Sequence, residues 1–209
     1  PPPIEGYEGA TVLDPNPADI YLEDPVAVLD FASLYPSSIR EKNLSPETQI
    51  EDLTLLDKLE EGKDYKRVTY TNYEYIEKGK SIIKQVNQDV PTITCYFATP
   101  QLLGGEGIIP SVLNDLLTKR SETKKRMKQA PTEFKKKLLD GLQLAYKVTA
   151  NSVYGQTGAM TSSISNKKLA ACTTSVGRAR IYDAEQGVKE WALAEGYHPP
   201  KVIYGDTDS

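Results

Sequence analysis

The last six residues, Tyr204-Gly205-Asp206-Thr207-Asp208-Ser209, carry two carboxylates one residue apart behind a short apolar run. Carboxylate oxygens are hard donors that suit Mg²⁺. In an extended segment residues i and i+2 face the same side, so Asp206 and Asp208 can converge on one cation. The pair alone fits an ordinary polar turn, the metal site of a sugar-nucleotide transferase, or half of a phosphoryl-transfer site. A third acid, Asp30, closes the apolar run Val26-Ala27-Val28-Leu29, where a carboxylate needs a partner or an ion. Behind it Phe31-Ala32-Ser33-Leu34-Tyr35 turns sharply. Backbone N–H groups in such a turn form an anion nest, with Tyr35 beside it.

Cations recur at helical spacing in the middle of the chain. Arg120 and Lys124 stand at i, i+4 and share a face; Lys147, Asn151 and Tyr154 stand at i, i+4, i+7 and form a second stripe. Two packed antiparallel helices would aim both stripes into one cleft. Cations for phosphates and a ring beside a base suit a nucleoside triphosphate. Taken singly, Tyr154 is as well read as a core aromatic and Lys147 as a surface lysine. Their combination with Asn151 and Gly155 carries the weight.

These groups need elements to hold them. Residues 26–31 read as a short buried strand, and Pro36 is placed to open a brief helix after it. Residues 45–80 mix helical and turn signals. Residues 82–97, with Thr92-Ile93-Thr94-Cys95-Tyr96-Phe97, suggest strands. Gly104 to Gly107 breaks the chain. A helix opens at Ile109-Pro110-Ser111, with Val112, Leu113, Leu116 and Leu117 at helical spacing. Ala130-Pro131-Thr132 interrupts it. A second helix is expected over about 132–154, with Phe134, Leu138, Leu142 and Ala145 on one face, ended by Gly155 and Gly158. The two form an antiparallel hairpin. A third helix is expected over about 166–194, and Lys201-Val202-Ile203-Tyr204 as the last strand. The order implies an α+β domain with a helical excursion.

Composition narrows the class. The 209 residues suffice for one or two domains with a buried core. No run approaches the ~18–20 apolar residues that cross a bilayer, so no membrane partner is expected. The start, Pro1-Pro2-Pro3-Ile4-Glu5-Gly6, lacks the basic and apolar regions of a signal peptide. Cys95 and Cys172 fit no zinc spacing and read as reduced, part-buried thiols. His198, before Pro199-Pro200, reads as structural or solvated. The net charge of −4 does not announce a nucleic-acid binder. Between Lys119 and Lys137, however, nine Lys and Arg face only Glu122 and Glu133. Most of this stripe reads as a solvated helical face, and its sharper reading is a phosphate-facing one.

Asp30-Phe31-Ala32-Ser33-Leu34-Tyr35-Pro36-Ser37-Ser38-Ile39 resembles motif A of family B DNA polymerases. Lys147-Val148-Thr149-Ala150-Asn151-Ser152-Val153-Tyr154-Gly155 resembles their motif B, and Tyr204 to Ser209 their motif C. Three motifs in order are highly specific, and the flavour is similar to delta-type and large-DNA-virus polymerases. The resemblance implies a palm with an antiparallel sheet (1–108, with an insert at about 45–90, and 161–209) and a helical-hairpin fingers region (109–160). The thumb and an editing nuclease domain are expected outside these residues, so the chain reads as a partial catalytic core, inactive in isolation.

The roles implied by that resemblance are specific. Asp30 and Asp208 would hold two Mg²⁺ ions, with Asp206 weaker and the Phe31 carbonyl completing a shell. The N–H groups of Ser33 and Leu34 would cradle phosphate oxygens. Tyr35 would lie under the sugar and exclude a 2′-hydroxyl. Arg120, Lys124 and Lys147 would bind the triphosphate tail, Lys147 also giving a proton to the leaving pyrophosphate. Asn151 and Tyr154 would line the base-pair pocket. Implied substrates are primer–template DNA and deoxynucleoside triphosphates. A sliding clamp or accessory subunit would engage other regions. The setting would be the nucleus or a viral replication site. A DNA-binding but inactive homologue and an Asp-x-Asp glycosyltransferase are the competing readings. The former calls for loss of Asp30 or Asp208, and the latter leaves residues 147–155 without a purpose.

Overall fold

A computed structural model describes residues 4–13, 20, 25–78, 81–159 and 161–207. Strands β1 (Ile4–Tyr7) and β2 (Val12–Leu13) precede helix α1 (Leu34–Lys42). Two 3-10 turns, Pro46–Thr48 and Leu53–Lys58, lead to β3 (Tyr65–Lys78), β4 (Ser81–Val86) and β5 (Thr92–Ala98). A single turn, α2 (Pro100–Leu103), is followed by the long helices α3 (Ile108–Lys128), α4 (Glu133–Gly158) and α5 (Lys167–Ala194), then by β6 (Gly205–Asp206). The expected α+β class holds.

The 14-residue β3 organises the sheet. Its first half pairs with β5, Tyr65 opposite Ala98. Its second half pairs with β4 on one edge and β1 on the other, all antiparallel. Alternation along β3 turns Val68 and Tyr70 inward, where they meet Cys95 and Phe97 of β5. Ile39, Leu44, Leu113, Ala150, Leu169, Ala171, Cys172 and Val176 close this core from the helical side.

Helix α5 lies against β3, and residues 169–174 are buried all round. Their side chains, Leu169, Ala170, Ala171, Cys172, Thr173 and Thr174, are mostly small, which lets the helix backbone approach its neighbours. Ser175 Oγ then donates to the Thr69 carbonyl at 2.7 Å. Both cysteines are free and buried. A hydrogen bond shared with Cys95, together with burial, pushes the Cys172 thiol up.

The break at Gly104–Gly107, the helical hairpin and the third helix hold as expected. Asn166 caps α5, its side chain accepting from Leu169 N at 3.1 Å. Gly104 ends α2 at φ 74°, and Gly107 caps α3. Helices α3 and α4 form the hairpin, joined by four residues.

Four expectations need correction. Residues 26–31 form no strand, and 26–30 are exposed. A strand needs a ladder partner, and no described segment pairs with them. Residues 201–204 likewise form no strand; the ladder sits one step later, where Val12 faces Asp206 and Leu13 faces Gly205. Helix α4 passes through Gly155 and ends at Gly158, because buried Thr157 and half-buried Tyr154 hold its last turn in place. Finally, Phe134, Leu138, Leu142 and Ala145 share one face, but that face is exposed. The buried line of α4 runs through Leu139, Ala150 and Thr157. Close packing on α3 and α5 selects the small Ala150 and Thr157 there, beside Leu139.

Candidate active site

The turn at residues 31–35 is the centre of the site. Ser33 precedes α1 at φ 60°, ψ 65°, a left-handed conformation that costs a non-glycine residue about 1–2 kcal/mol. The surroundings over-determine it. Ser33 is buried, and its hydroxyl accepts from an Arg120 Nη at 3.3 Å. The Ser37 N–H returns to the Ser33 carbonyl at 2.9 Å and begins α1, while Ser37 Oγ donates to the Ala32 carbonyl at 3.1 Å. A helix start leaves its first N–H groups without intrahelical acceptors, so the Ser33–Leu34 backbone has the character of an anion nest.

Tyr35 points from this turn into a seat made by three elements. Its ring lies 4.5 Å from that of Tyr154 on α4, tilted by 40°. Its hydroxyl donates to Thr207 Oγ1 at 3.0 Å, beyond the end of β6. Thr207 is itself fixed: its Oγ1 accepts from Thr11 N at 3.0 Å and donates to the Thr11 carbonyl at 3.2 Å. Thr11 Oγ1 accepts from Arg178 Nε at 2.7 Å, and Arg178 pairs with Glu8 at 2.5 Å. Thus β2, β6 and α5 are tied together behind the ring.

The hairpin supplies the cations. Arg120 is half-buried and is oriented by Gln143 Oε1, which accepts from its Nε at 3.3 Å. Lys147 is half-buried and Lys124 exposed, and neither has a carboxylate within ion-pairing distance among the described residues. Asn151 Oδ1 is buried and, among the described residues, has no hydrogen-bond partner. A buried acceptor left open costs about 1–3 kcal/mol.

The carboxylates are held differently. Asp206 is half-buried on β6 and accepts from Tyr204 Oη at 3.1 Å. Asp30 is exposed at the end of the strandless stretch, not buried in an apolar run. Asp208 lies outside the described residues. Among the described residues no three His, Cys, Asp or Glu side chains come together as a ligand set. As chemistry, carboxylates and the Phe31 carbonyl are hard oxygen donors of the kind Mg²⁺ takes.

The structure therefore joins Ser33, Tyr35, Arg120 and Tyr154 directly, and sets Lys147 and Asn151 on the same helix as Tyr154. Two residues escaped the reading of the sequence. Thr207 lies between the two acids and looks like a spacer. Gly177 lies in mid-helix beneath the Tyr35 ring, and an isolated glycine within a helical pattern was the available signal.

Comparison with known proteins converges on one family. The model described as DNA polymerase family B matches residues 3–209. The chain is 36% identical over 254 residues to a DNA polymerase of Pyramimonas orientalis virus, covering 99% of this chain and 19% of that protein. It is 38% identical over 208 residues to the DNA polymerase delta catalytic subunit of Schizosaccharomyces pombe, covering 98% and 17% respectively. The solved family B DNA polymerase of the archaeon Pyrobaculum calidifontis aligns with 97% of this chain and 21% of its own, at 29% identity and a TM-score of 0.57. The chain thus spans about a fifth of the length of these relatives.

Proposed function

Because this chain belongs to DNA polymerase family B, we propose that it is the palm and fingers part of a template-directed DNA polymerase. That enzyme adds deoxynucleotides to a primer 3′-end during replication, in a nucleus or at a viral replication site. Residues 1–108 and 161–209 are then palm, with the insert of the sequence reading at about 45–90, and 109–160 fingers. The observation that carries this reading is the meeting of three distant segments at Tyr35, flanked by Tyr154 and hydrogen-bonded to Thr207, next to an Arg120 that reaches Ser33.

The residues divide the substrate between them. Arg120, Lys124 and Lys147 take the triphosphate, whose charge they neutralise as it builds up on the leaving group. The Ser33 and Leu34 N–H groups receive phosphate oxygens. Tyr35 stands under the sugar, where a 2′-hydroxyl would collide with the ring. Tyr154 stacks beside the base pair, and the open Asn151 acceptor faces the same pocket. Lys147 is placed to give a proton to departing pyrophosphate. Asp30, Asp208, Asp206 and the Phe31 carbonyl would hold two Mg²⁺ ions, which when bound lower the pKa of the primer hydroxyl and stabilise the leaving oxygen. Primer–template DNA is the second substrate, and a clamp or accessory subunit the further partner.

The decisive test is Asp208→Ala in the full-length protein that carries this chain. Turnover should fall on the order of 10³-fold, with primer–template affinity changed less than about threefold. Turnover within about tenfold of the parent would remove the carboxylates from the chemistry.

A further inference from the structure

Gly177 sits in the middle of α5, where glycine is disfavoured against alanine by about 1 kcal/mol. It is buried, and space is the reason for it. A Cβ at this position would stand 2.8 Å from Tyr35 Cε1 and 3.3 Å from Cδ1, with Leu34 Cδ2 at 3.7 Å. The first distance is well inside van der Waals contact. The ring has nowhere simple to retreat. The ring also packs on Tyr154, 4.5 Å away between centroids and tilted by 40°, and its hydroxyl is held by Thr207. Thr207 cannot follow a displaced ring, because Thr11 holds its hydroxyl through both N–H and carbonyl.

We propose that Gly177 is a positioning residue for sugar selection. The bare α5 backbone at 177 is the floor on which the Tyr35 ring rests, and the Thr207 hydroxyl fixes the far end of the ring at that depth. Floor and anchor together set how far Tyr35 projects beneath an incoming nucleotide. Neither Gly177 nor Thr207 touches the substrate in this arrangement; both act through Tyr35. The inference rests on the reading of Tyr35 as the residue under the sugar.

The test is a double-mutant cycle in the full-length protein: parent, Gly177→Ala, Tyr35→Leu, and both. Leucine has no atom at the Cε1 position. Single-turnover kcat and KM are measured for a deoxynucleotide and the matching ribonucleotide. Gly177→Ala in the parent should raise the deoxynucleotide KM and change the deoxy-to-ribo ratio of kcat/KM by about tenfold. With Tyr35→Leu present, the same substitution should change that ratio less than about twofold. Equal changes in both backgrounds, or none in the parent, overturn the proposal. If Gly177→Ala alone does not fold, rescue of folding by Tyr35→Leu supports the floor, and failure of rescue overturns it. Tyr35→Leu alone reads the underlying premise separately. Unchanged ribonucleotide exclusion in that variant refutes the sugar-gate reading, while coupling between 35 and 177 in deoxynucleotide KM still decides whether α5 seats the ring.

Discussion

The two ends of the helical hairpin are built on opposite plans. At its base, three side chains from the segment after α1 reach three successive N–H groups at the start of α3. Asn43 Oδ1 accepts from Gly107 N at 2.8 Å, Glu47 Oε1 from Ile108 N at 2.5 Å, and Ser45 Oγ from Ile109 N at 3.3 Å. Asn43 also donates to the Ala98 carbonyl at 2.8 Å, and the fully buried Leu113 packs one turn further on. The approach is so close that a Cβ on Gly107 would stand 2.7 Å from Thr48 Cγ2. At the far end, residues 131–138 are all exposed. Among the described residues that end is held by local bonds: a Thr132 side-chain cap to Lys135 N at 3.2 Å, the Lys136 N–H to the Thr132 carbonyl at 3.0 Å, and a solvated Lys136–Glu133 pair at 3.6 Å. One end is specified by tertiary contacts and the other by helix capping alone. A rod fixed at one end and solvated at the other keeps Arg120, which lies between, against the Ser33 turn.

Breaking the base should have the largest effect. Asn43→Ala leaves the buried Gly107 N–H and Ala98 carbonyl without partners, a loss of about 2–4 kcal/mol read as a lowered melting temperature. Leu138→Ser at the other end should change stability by less than about 0.5 kcal/mol. Comparable losses at the two ends would erase the distinction. A smaller effect sharpens it through pH. Burial opposes ionisation of Glu47, but the Ile108 N–H, its own N–H and the Ser45 hydroxyl outweigh burial and hold its carboxyl below the usual Glu range. Its contribution is therefore complete above the ordinary Glu pKa and is lost as pH falls through the lower folded value. Because Glu47 is exposed, solvent screening keeps this to about 0.5 kcal/mol. Glu47→Gln should flatten that part of the acid limb in a denaturation series, and an unchanged acid limb would take Glu47 out of the cap.

The sequence was legible where local rules are sufficient. The hairpin, the third helix and the strands around Cys95 follow from helical period and β-branched residues. The first two motifs likewise marked Tyr35 and Tyr154, whose rings meet. Residues 26–31 misled because an apolar run becomes a strand only when another segment offers its ladder, which no local pattern encodes. The apolar face of Phe134, Leu138 and Leu142 misled for the converse reason: tight helix packing rewards Ala150 and Thr157 for being small. Gly177 and Thr207 were silent because their roles depend on Tyr35, far away in the chain.

The bond between Thr11 and Thr207 spans 196 positions, against 23 for that between Arg120 and Gln143. Loop-closure entropy makes the longer join dearer by about 2 kcal/mol. The hairpin can thus form early from its own neighbours, whereas the seat of Tyr35 closes only after everything between residues 11 and 207 is in place. In pulse-labelled hydrogen exchange the Thr11 amide should gain protection after those of the hairpin, and simultaneous protection would contradict this order. If Tyr35 holds the role proposed for it, selection of the sugar would be among the last properties the folding chain acquires.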